Sequence, residues 1–308
     1  MLDQIKGLHH VTSLASSASQ NNAFFTNALG LRRVKQTVNF DAPDVYHLYY
    51  GDELGTPGSV MTSFPFPMAA RGRPGAGEVG RTFFSVPKDS LTAWTERLAM
   101  LDVGGLDQDT RFGEDRVLFN GPDGDAFALV GCDDTRASWA AGMVSDQMAI
   151  RGFHGATMCL RDAGATTELL NFMGYEAVDR DGDVMRFAVQ NGNGADVIDI
   201  ETCPEAEDAT QGAGSVHHVA FAVANRARQL EVREALLDTG YQVTPVIDRD
   251  YFWAIYFRAP GGVLFEVATN EPGFATDEDT ANLGQALKLP SQHAHMRDKL
   301  ERVLEPLS

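Results

Sequence analysis

The sequence predicts an α+β fold: four βαβββ modules, paired in two domains that form cup-shaped mixed sheets, with a C-terminal helical tail. Three observations predict it. Four segments open on an alternating apolar stretch, pass through a helix-like stretch and close on a strand-like run: GLHHVTSL to VMTSF, GRTFFSVP to FALVG, GFHGATMCL to VIDIE, and SVHHVAFAV to LFEVA. The helix-like stretches stop at Gly30, Gly104, Gly174 and Gly240, at 20, 23, 20 and 22 residues after His10, Arg81, His154 and His218. Glycine supplies the left-handed conformation that a helix end needs. Turn signals recur before each last strand as Pro57-Gly58, Pro122-Asp123-Gly124, Asn193-Gly194 and Pro260-Gly261-Gly262. One unit used four times is the economical reading of such a period.

The modules are placed at 1–66, 79–135, 150–205 and 213–275, with linkers at 67–78 and 133–149 and a tail at 276–308. In the fourth module the alternation of VHHVAFAV puts Val219, Phe221 and Val223 on the helix side and His218, Ala220 and Ala222 on the concave side. By the same parity His217 falls on the far side of its strand. The helix Asn225 to Asp238 sets Leu230, Ala235, Leu236 and Leu237 among charges, the pattern of a helix covering a sheet. The tail reads as a clasp, with Ser291 capping a terminal amphipathic helix on which His293 and His295 face solvent.

Composition narrows the function classes. Lys and Arg number 25 against 43 Asp and Glu, a net charge of −18 that repels nucleic-acid backbones and anionic membranes and leaves a small molecule as the expected partner. The 3 cysteines, Cys132, Cys159 and Cys203, form no CxxC pair and cannot all be bridged, which fits a reducing compartment. The opening MLDQIKGLHHVT lacks a basic stretch followed by an apolar one, and no apolar run is long enough to span a bilayer. A cytoplasmic location is expected.

Two His-His dipeptides, His9-His10 and His217-His218, stand at the same place in the first and fourth modules. Pairing these modules face to face brings two imidazoles together. Glu266, in the otherwise apolar run GGVLFEVA, would be costly to bury without a cation. His10, His218 and Glu266 then form a two-histidine, one-carboxylate set that suits Fe(II) or Mn(II) and leaves coordination positions free. Aligning TPGSVMTSF with APGGVLFEV places Ser63 opposite Glu266, so the first module adds no second carboxylate. Modules two and three set Arg81 and His154 opposite the key histidines and Ala128 in the role of Glu266. That pair cannot build the same site, although His154 with Glu201 could be a relic.

The aromatic segment DRDYFWAIYFRAPGG would line the cup, with Tyr256 and Arg258 sharing parity and Arg249 at the strand entrance, placed to neutralise an anionic substrate oxygen. His47 in VYHLYY reads as packing within a strand. GAGEVG (75–80) matches a dinucleotide motif in the wrong context, leading into a strand instead of a helix. DRDGD (179–183) lacks the closing glutamate of a calcium loop and reads as a hairpin turn.

These residues resemble the vicinal oxygen chelate superfamily of glyoxalase I, bleomycin-resistance proteins and extradiol dioxygenases. GLHHVT, YHLYYGDELGTPGSVMTSFP, RGFH, VHHVAFAV, and RAPGGVLFEVAT followed by GFATDEDTANLG are similar to the ring-cleaving members that open para-hydroquinones, dichlorohydroquinone 1,2-dioxygenase among them. The resemblance implies Fe(II) on His10, His218 and Glu266, and substrate-side roles for His9, Thr12, His217, Arg249 and Tyr256. It implies a dioxygenase whose partners are O2 and a small hydroquinone- or catechol-type aromatic, and it leaves homo-oligomerisation open. The alternatives are a glyoxalase-like metal-dependent isomerase or lyase, and a non-catalytic protein that binds aromatics or quinones.

Overall fold

The computed structural model describes residues 1–140 and 143–307; positions 141 and 142 of the second linker and the last residue of the tail lie outside the described residues. The first module runs β1 (Leu8–Ala15), α1 (Ala18–Ala23) with a π-helical turn to Ala28, β2 (Arg32–Val38), β3 (Tyr46–Gly51) and β4 (Val60–Pro65). The second runs β5 (Glu78–Pro87), α2 (Leu91–Met100), β6 (Asp107–Arg111), β7 (Glu114–Asn120) and β8 (Ala126–Cys132). The third runs β9 (Gly152–Leu160), α3 (Gly164–Phe172), β10 (Tyr175–Asp181), β11 (Val184–Val189) and β12 (Val197–Thr202). The fourth runs β13 (Val216–Val223), α4 (Arg226–Asp238), β14 (Ile247–Asp248), β15 (Phe252–Arg258) and β16 (Leu264–Pro272).

These strands make two sheets of 8, ordered β14-β15-β16-β13-β1-β4-β3-β2 and β10-β11-β12-β9-β5-β8-β7-β6. The first module therefore joins the fourth through the antiparallel pair β1–β13, and the second joins the third through β5–β9. Linker backbones cross side by side, with Gly72 N donating to Ala213 O and Ala76 N to Glu207 O. One apolar core spans both sheets: Leu8, Val11, Val219 and Phe221 of the first pack in the same cluster as Phe84, Phe127, Phe153 and Ile198 of the second.

Both central pairs carry two matching bulges. In β1–β13 the register steps from Leu8↔Phe221 to His10↔Ala220, leaving His9 extra, and from Thr12↔His218 to Ser13↔Val216, leaving His217 extra. In β5–β9 the same steps leave Gly80 and His154 extra. A bulge breaks the strict alternation of faces. It turns His217 into the cup, correcting the far-side placement expected from parity.

Other expectations shift by small amounts for local reasons. Gly30, Gly174 and Gly240 do take positive φ of 73°, 93° and 91°, but in the second module Asp102 and Gly105 take it and Gly104 does not. On α4 the buried residues are Gln229, Val232 and Leu236, while Leu230 and Leu237 are exposed. Buried Gln229 is retained because its Nε2 donates to Trp253 O and Val267 O at 2.7 and 2.8 Å, tying the helix to β15 and β16. DRDGD forms the β10–β11 hairpin, with Gly182 at φ 58°.

The tail clasps the first module. Glu305 caps the start of α1, its Oε2 accepting from Ala18 N at 3.0 Å, and Leu300 and Leu304 enter the core. Ser291 caps no helix: it begins a 3-10 segment that precedes α5 (Arg297–Val303), and no side-chain cap bond forms there. His295 is exposed, whereas half-buried His293 bonds through Nε2 to Phe40 O at 2.9 Å. No helix among the described residues is long and apolar enough to cross a membrane.

Candidate metal centre

Pairing β1 with β13 brings His10 and His218 into contact, and β16, parallel to β13 with Ala220↔Glu266, brings the carboxylate beside them. His10 Nε2 lies 3.2 Å from His218 Nε2, and Glu266 Oε2 lies 3.0 Å from His218 Nε2 and 3.4 Å from His10 Nε2. Ligand atoms about 2.1 Å from one ion in neighbouring octahedral positions stand about 3 Å apart, so this triangle fits one face of a coordination sphere. All three residues are buried, and neither Glu266 oxygen has a hydrogen-bonding partner. Burial pushes the Glu266 carboxyl up, and charge on the His10 and His218 imidazoles would hold it well below its ordinary range; with those rings neutral, that balancing charge is left to an ion. An ionised, fully buried carboxylate with orphaned oxygens calls for a cation.

The doublets explain how the imidazoles are presented. His9 Nε2 lies 3.1 Å from Thr269 O; a carbonyl only accepts, so that nitrogen carries hydrogen. Burial lowers the His9 pKa to about 3, so the ring is neutral and its Nδ1 accepts from His10 Nδ1–H at 3.0 Å. His10 therefore turns a lone pair on Nε2 toward Glu266 and His218. His217 repeats the device across the sheet, its Nδ1 standing 2.8 Å from His218 Nδ1, and burial lowers its pKa to about 4. Such outer partners set the tautomer of a ligating histidine.

A cavity of about 390 Å³ opens on the free side of the triangle. Phe64, Phe66, Phe252 and Leu264 give it apolar walls, and His217, His47, Arg249 and Tyr256 place polar groups in it. Arg249 Nε donates to Tyr256 Oη at 3.3 Å, and its guanidinium lies over Phe40 at 5.2 Å and 4.0 Å from Asp41. Burial and the Glu266 charge push the Tyr256 phenol well up, so it stays protonated. Arg258, of the same parity, is exposed and donates to Gly262 O.

Of the residues singled out in the sequence, His10, His218, Glu266, His217, Arg249 and Tyr256 all meet at the cavity. His9 sits behind His10 and borders a separate pocket with Tyr251 and Phe274. Thr12 is fully buried, its Oγ1 2.8 Å from His218 Nε2 and 2.9 Å from Thr62 Oγ1. Thr62 is paired with Thr12 as Glu266 is with Ala220, so Thr62, not Ser63, is its counterpart in the first module. The turn into β4 is one residue shorter than the turn into β16, and Ser63 bonds Asn21 at 2.6 Å. His47 is the residue missed: it lines the cavity and bonds Thr62 Oγ1 at 2.9 Å and Tyr49 Oη at 2.8 Å. The alternation of YHLYY, which puts His47 and Tyr49 on one face, was the available signal.

The relic expected of His154 and Glu201 is not formed. Register makes His154 the counterpart of His217, Gly155 that of His218 and Asp199 that of Glu266. His154 Nε2 instead approaches Glu114 Oε1 at 3.2 Å, and Arg186, the counterpart of Tyr256, holds Asp199 through two bonds of 2.9 and 3.0 Å.

The signature of the Glyoxalase/Bleomycin resistance protein/Dioxygenase superfamily matches residues 166–267. MhqO of Bacillus subtilis, provisionally named a ring-cleaving dioxygenase, is 41% identical over 99% of this chain and 98% of its own. The chain belongs to this superfamily. Another superfamily relative, the chlorohydroquinone/hydroquinone 1,2-dioxygenase of Sphingobium indicum, is 35% identical over 98% of this chain and 97% of its own. A crystal structure from Bacillus subtilis, provisionally titled a dioxygenase, superposes with a TM-score of 0.96 at 41% identity, covering 99% of this chain and 98% of the other. Glyoxalase I from Zea mays shares the superfamily fold at a TM-score of 0.63 and 11% identity, over 86% and 92% of the two chains.

Proposed function

We propose that this protein is an Fe(II)-dependent ring-cleaving dioxygenase that inserts O2 into a hydroquinone- or catechol-type ring. The observation that carries the reading is the buried His10–His218–Glu266 triangle, with ligand atoms 3.0 to 3.4 Å apart and an aromatic-walled cavity on its open side. Full-length likeness to relatives named as ring-cleaving dioxygenases supports it. Held there, Fe(II), or Mn(II), which the same ligands suit, would supply the electron transfer that O2 needs to react with a closed-shell ring.

The chain's own groups have separable tasks. Phe64, Phe66 and Phe252 exclude water and admit a flat ring. Arg249 holds negative charge on a ring oxygen, and the protonated Tyr256 phenol beside it donates to that oxygen. His217, with Nδ1 accepting from His218, presents Nε2–H as a second donor at the cavity. His9 acts on His10 and not on the ring, and Thr12 holds its hydroxyl beside His218 Nε2.

Anaerobically iron-loaded protein should consume O2 with one or more members of a panel of hydroquinones and catechols, measured at an oxygen electrode. His218→Ala should lose both tight iron binding, measured by metal analysis, and oxygen uptake. Zinc retained with no oxygen uptake would favour a glyoxalase-like isomerase or lyase. Stoichiometric aromatic binding without turnover, persisting in Glu266→Ala, would favour a binding protein.

A further inference from the structure

Behind the cavity wall four side chains form one line of hydrogen bonds. Tyr49 Oη meets His47 Nδ1 at 2.8 Å, His47 Nε2 meets Thr62 Oγ1 at 2.9 Å, Thr62 Oγ1 meets Thr12 Oγ1 at 2.9 Å, and Thr12 Oγ1 meets His218 Nε2 at 2.8 Å. Tyr49, Thr62 and Thr12 are at most 1% exposed and His47 is 8% exposed. We propose that this line is a one-way chain in which Tyr49, His47 and Thr62 are positioning residues that aim the Thr12 hydroxyl proton at the open side of the metal centre.

The direction follows from counting donors. Burial holds the Tyr49 phenol protonated, and His47 Nδ1 is its hydrogen-bond partner among the described residues. A buried O–H left without an acceptor is costly, so Tyr49 donates and His47 Nδ1 accepts. Burial keeps His47 neutral, and a neutral imidazole has one donor and one acceptor, so Nε2 carries the hydrogen and Thr62 Oγ1 accepts it. Thr62 then spends its own proton on Thr12 Oγ1, and the Thr12 O–H is left to point toward His218 Nε2. Once that nitrogen gives its lone pair to an ion, the Thr12 proton is a donor beside the ion with no protein acceptor. Its acceptor would be an oxygen of the ring or of O2. Thr62 holds the place that Glu266 holds on the other strand, so a hydroxyl chain stands where a second carboxylate would close the site.

This inference rests on the dioxygenase reading for its last step, but the direction of the chain can be tested without turnover. In zinc-loaded, ¹⁵N-histidine-labelled protein, two-bond ¹⁵N–¹H correlations should show His47 protonated on Nε2, the signal being assigned by its loss in His47→Gln. Protonation on Nδ1 would overturn the proposal. In the iron-loaded enzyme, Thr62→Val keeps the shape of the side chain and cuts the chain. It should lower kcat roughly tenfold, the worth of one charge-assisted hydrogen bond, while ring KM stays within about twofold. An unchanged kcat, or a loss confined to KM, would overturn it. Wild-type protein that consumes no O2 with any ring would sink the dioxygenase reading and leave the tautomer measurement to judge the chain.

Discussion

The two cups of this protein have the same strand order and, between their central strands, the same register and the same pair of bulges, yet among the described residues only one carries a histidine–carboxylate group that could hold a metal ion. In the β1–β13 cup the equivalent positions hold His10, His218, Glu266 and Tyr256; in the β5–β9 cup they hold Arg81, Gly155, Asp199 and Arg186. The second set is a structural ion-pair system. Arg186 clamps Asp199 and reaches Glu114 at 2.5 Å, with Phe112 beneath its guanidinium at 4.1 Å. Gly155 is closed to any ligand, because a Cβ there would meet Val197 O at 2.2 Å. The same buried acid is neutralised in one cup by a fixed guanidinium and left in the other with orphaned oxygens. What differs is whether the charge is compensated by the chain or left for something else.

The comparison is sharpest where removing the compensating charge should unfold the second cup. Arg186→Met strands Asp199, which is fully buried, and should cost about 3–5 kcal/mol in denaturant-induced unfolding. Arg186→Met combined with Asp199→Leu should recover most of that loss, since replacing both partners removes the unpaired charge. A small effect of the single change would mean that the ion pairs are not what hold this cup.

A milder test makes the β1–β13 cup resemble a closed four-ligand site. Thr62→Glu puts a carboxylate opposite Glu266 and should raise Zn(II) affinity by about tenfold, read by chelator competition, while abolishing oxygen uptake with an aromatic substrate. Unaltered zinc affinity would show that the shared register does not bring position 62 to the ion.

The smallest expected effect lies where the two sheets meet. Asp125, 6% exposed and with Oδ1 unpaired, has its pKa pushed up by burial to about 7. A raised folded-state pKa means stability present below the unfolded value near 4 and lost as pH rises through about 7. Asp125→Asn should therefore flatten the fall in Tm between those values and stabilise the protein at pH 8 by on the order of 1 kcal/mol, because the buried amide oxygen stays unpaired. An unchanged pH profile would place the titration elsewhere.

Much of the site was legible because it is written in a repeat. Two His-His doublets at equal positions and one acid in an apolar strand name His10, His218 and Glu266 without coordinates. Period-2 reasoning then fails for His217, since a bulge adds a residue to one strand and turns that side chain inward. Ungapped alignment fails at Ser63, since the turn into β4 is one residue shorter than its counterpart. His47 read as packing because its partner Thr62 lies on β4, which only pairing with β3 brings beside it, although Tyr49 shares its face two residues on. Hydrophobicity alone puts Leu230 and Leu237 on the sheet-covering side of α4, whereas the face that meets the sheet is set by Gln229, Val232 and Leu236.

By itself the sequence determined the repeated βαβββ unit, the acidic character that disfavours polyanion partners, and the residue types able to hold a divalent ion, because periodicity, charge and ligand chemistry are properties of local sequence. Tertiary structure alone decided which face each bulged histidine takes, and that Asp199 is neutralised by Arg186 while Glu266 is not. Those outcomes depend on strand register and on neighbours up to some 250 residues away, and a one-residue step in register moves a side chain from one face of a sheet to the other.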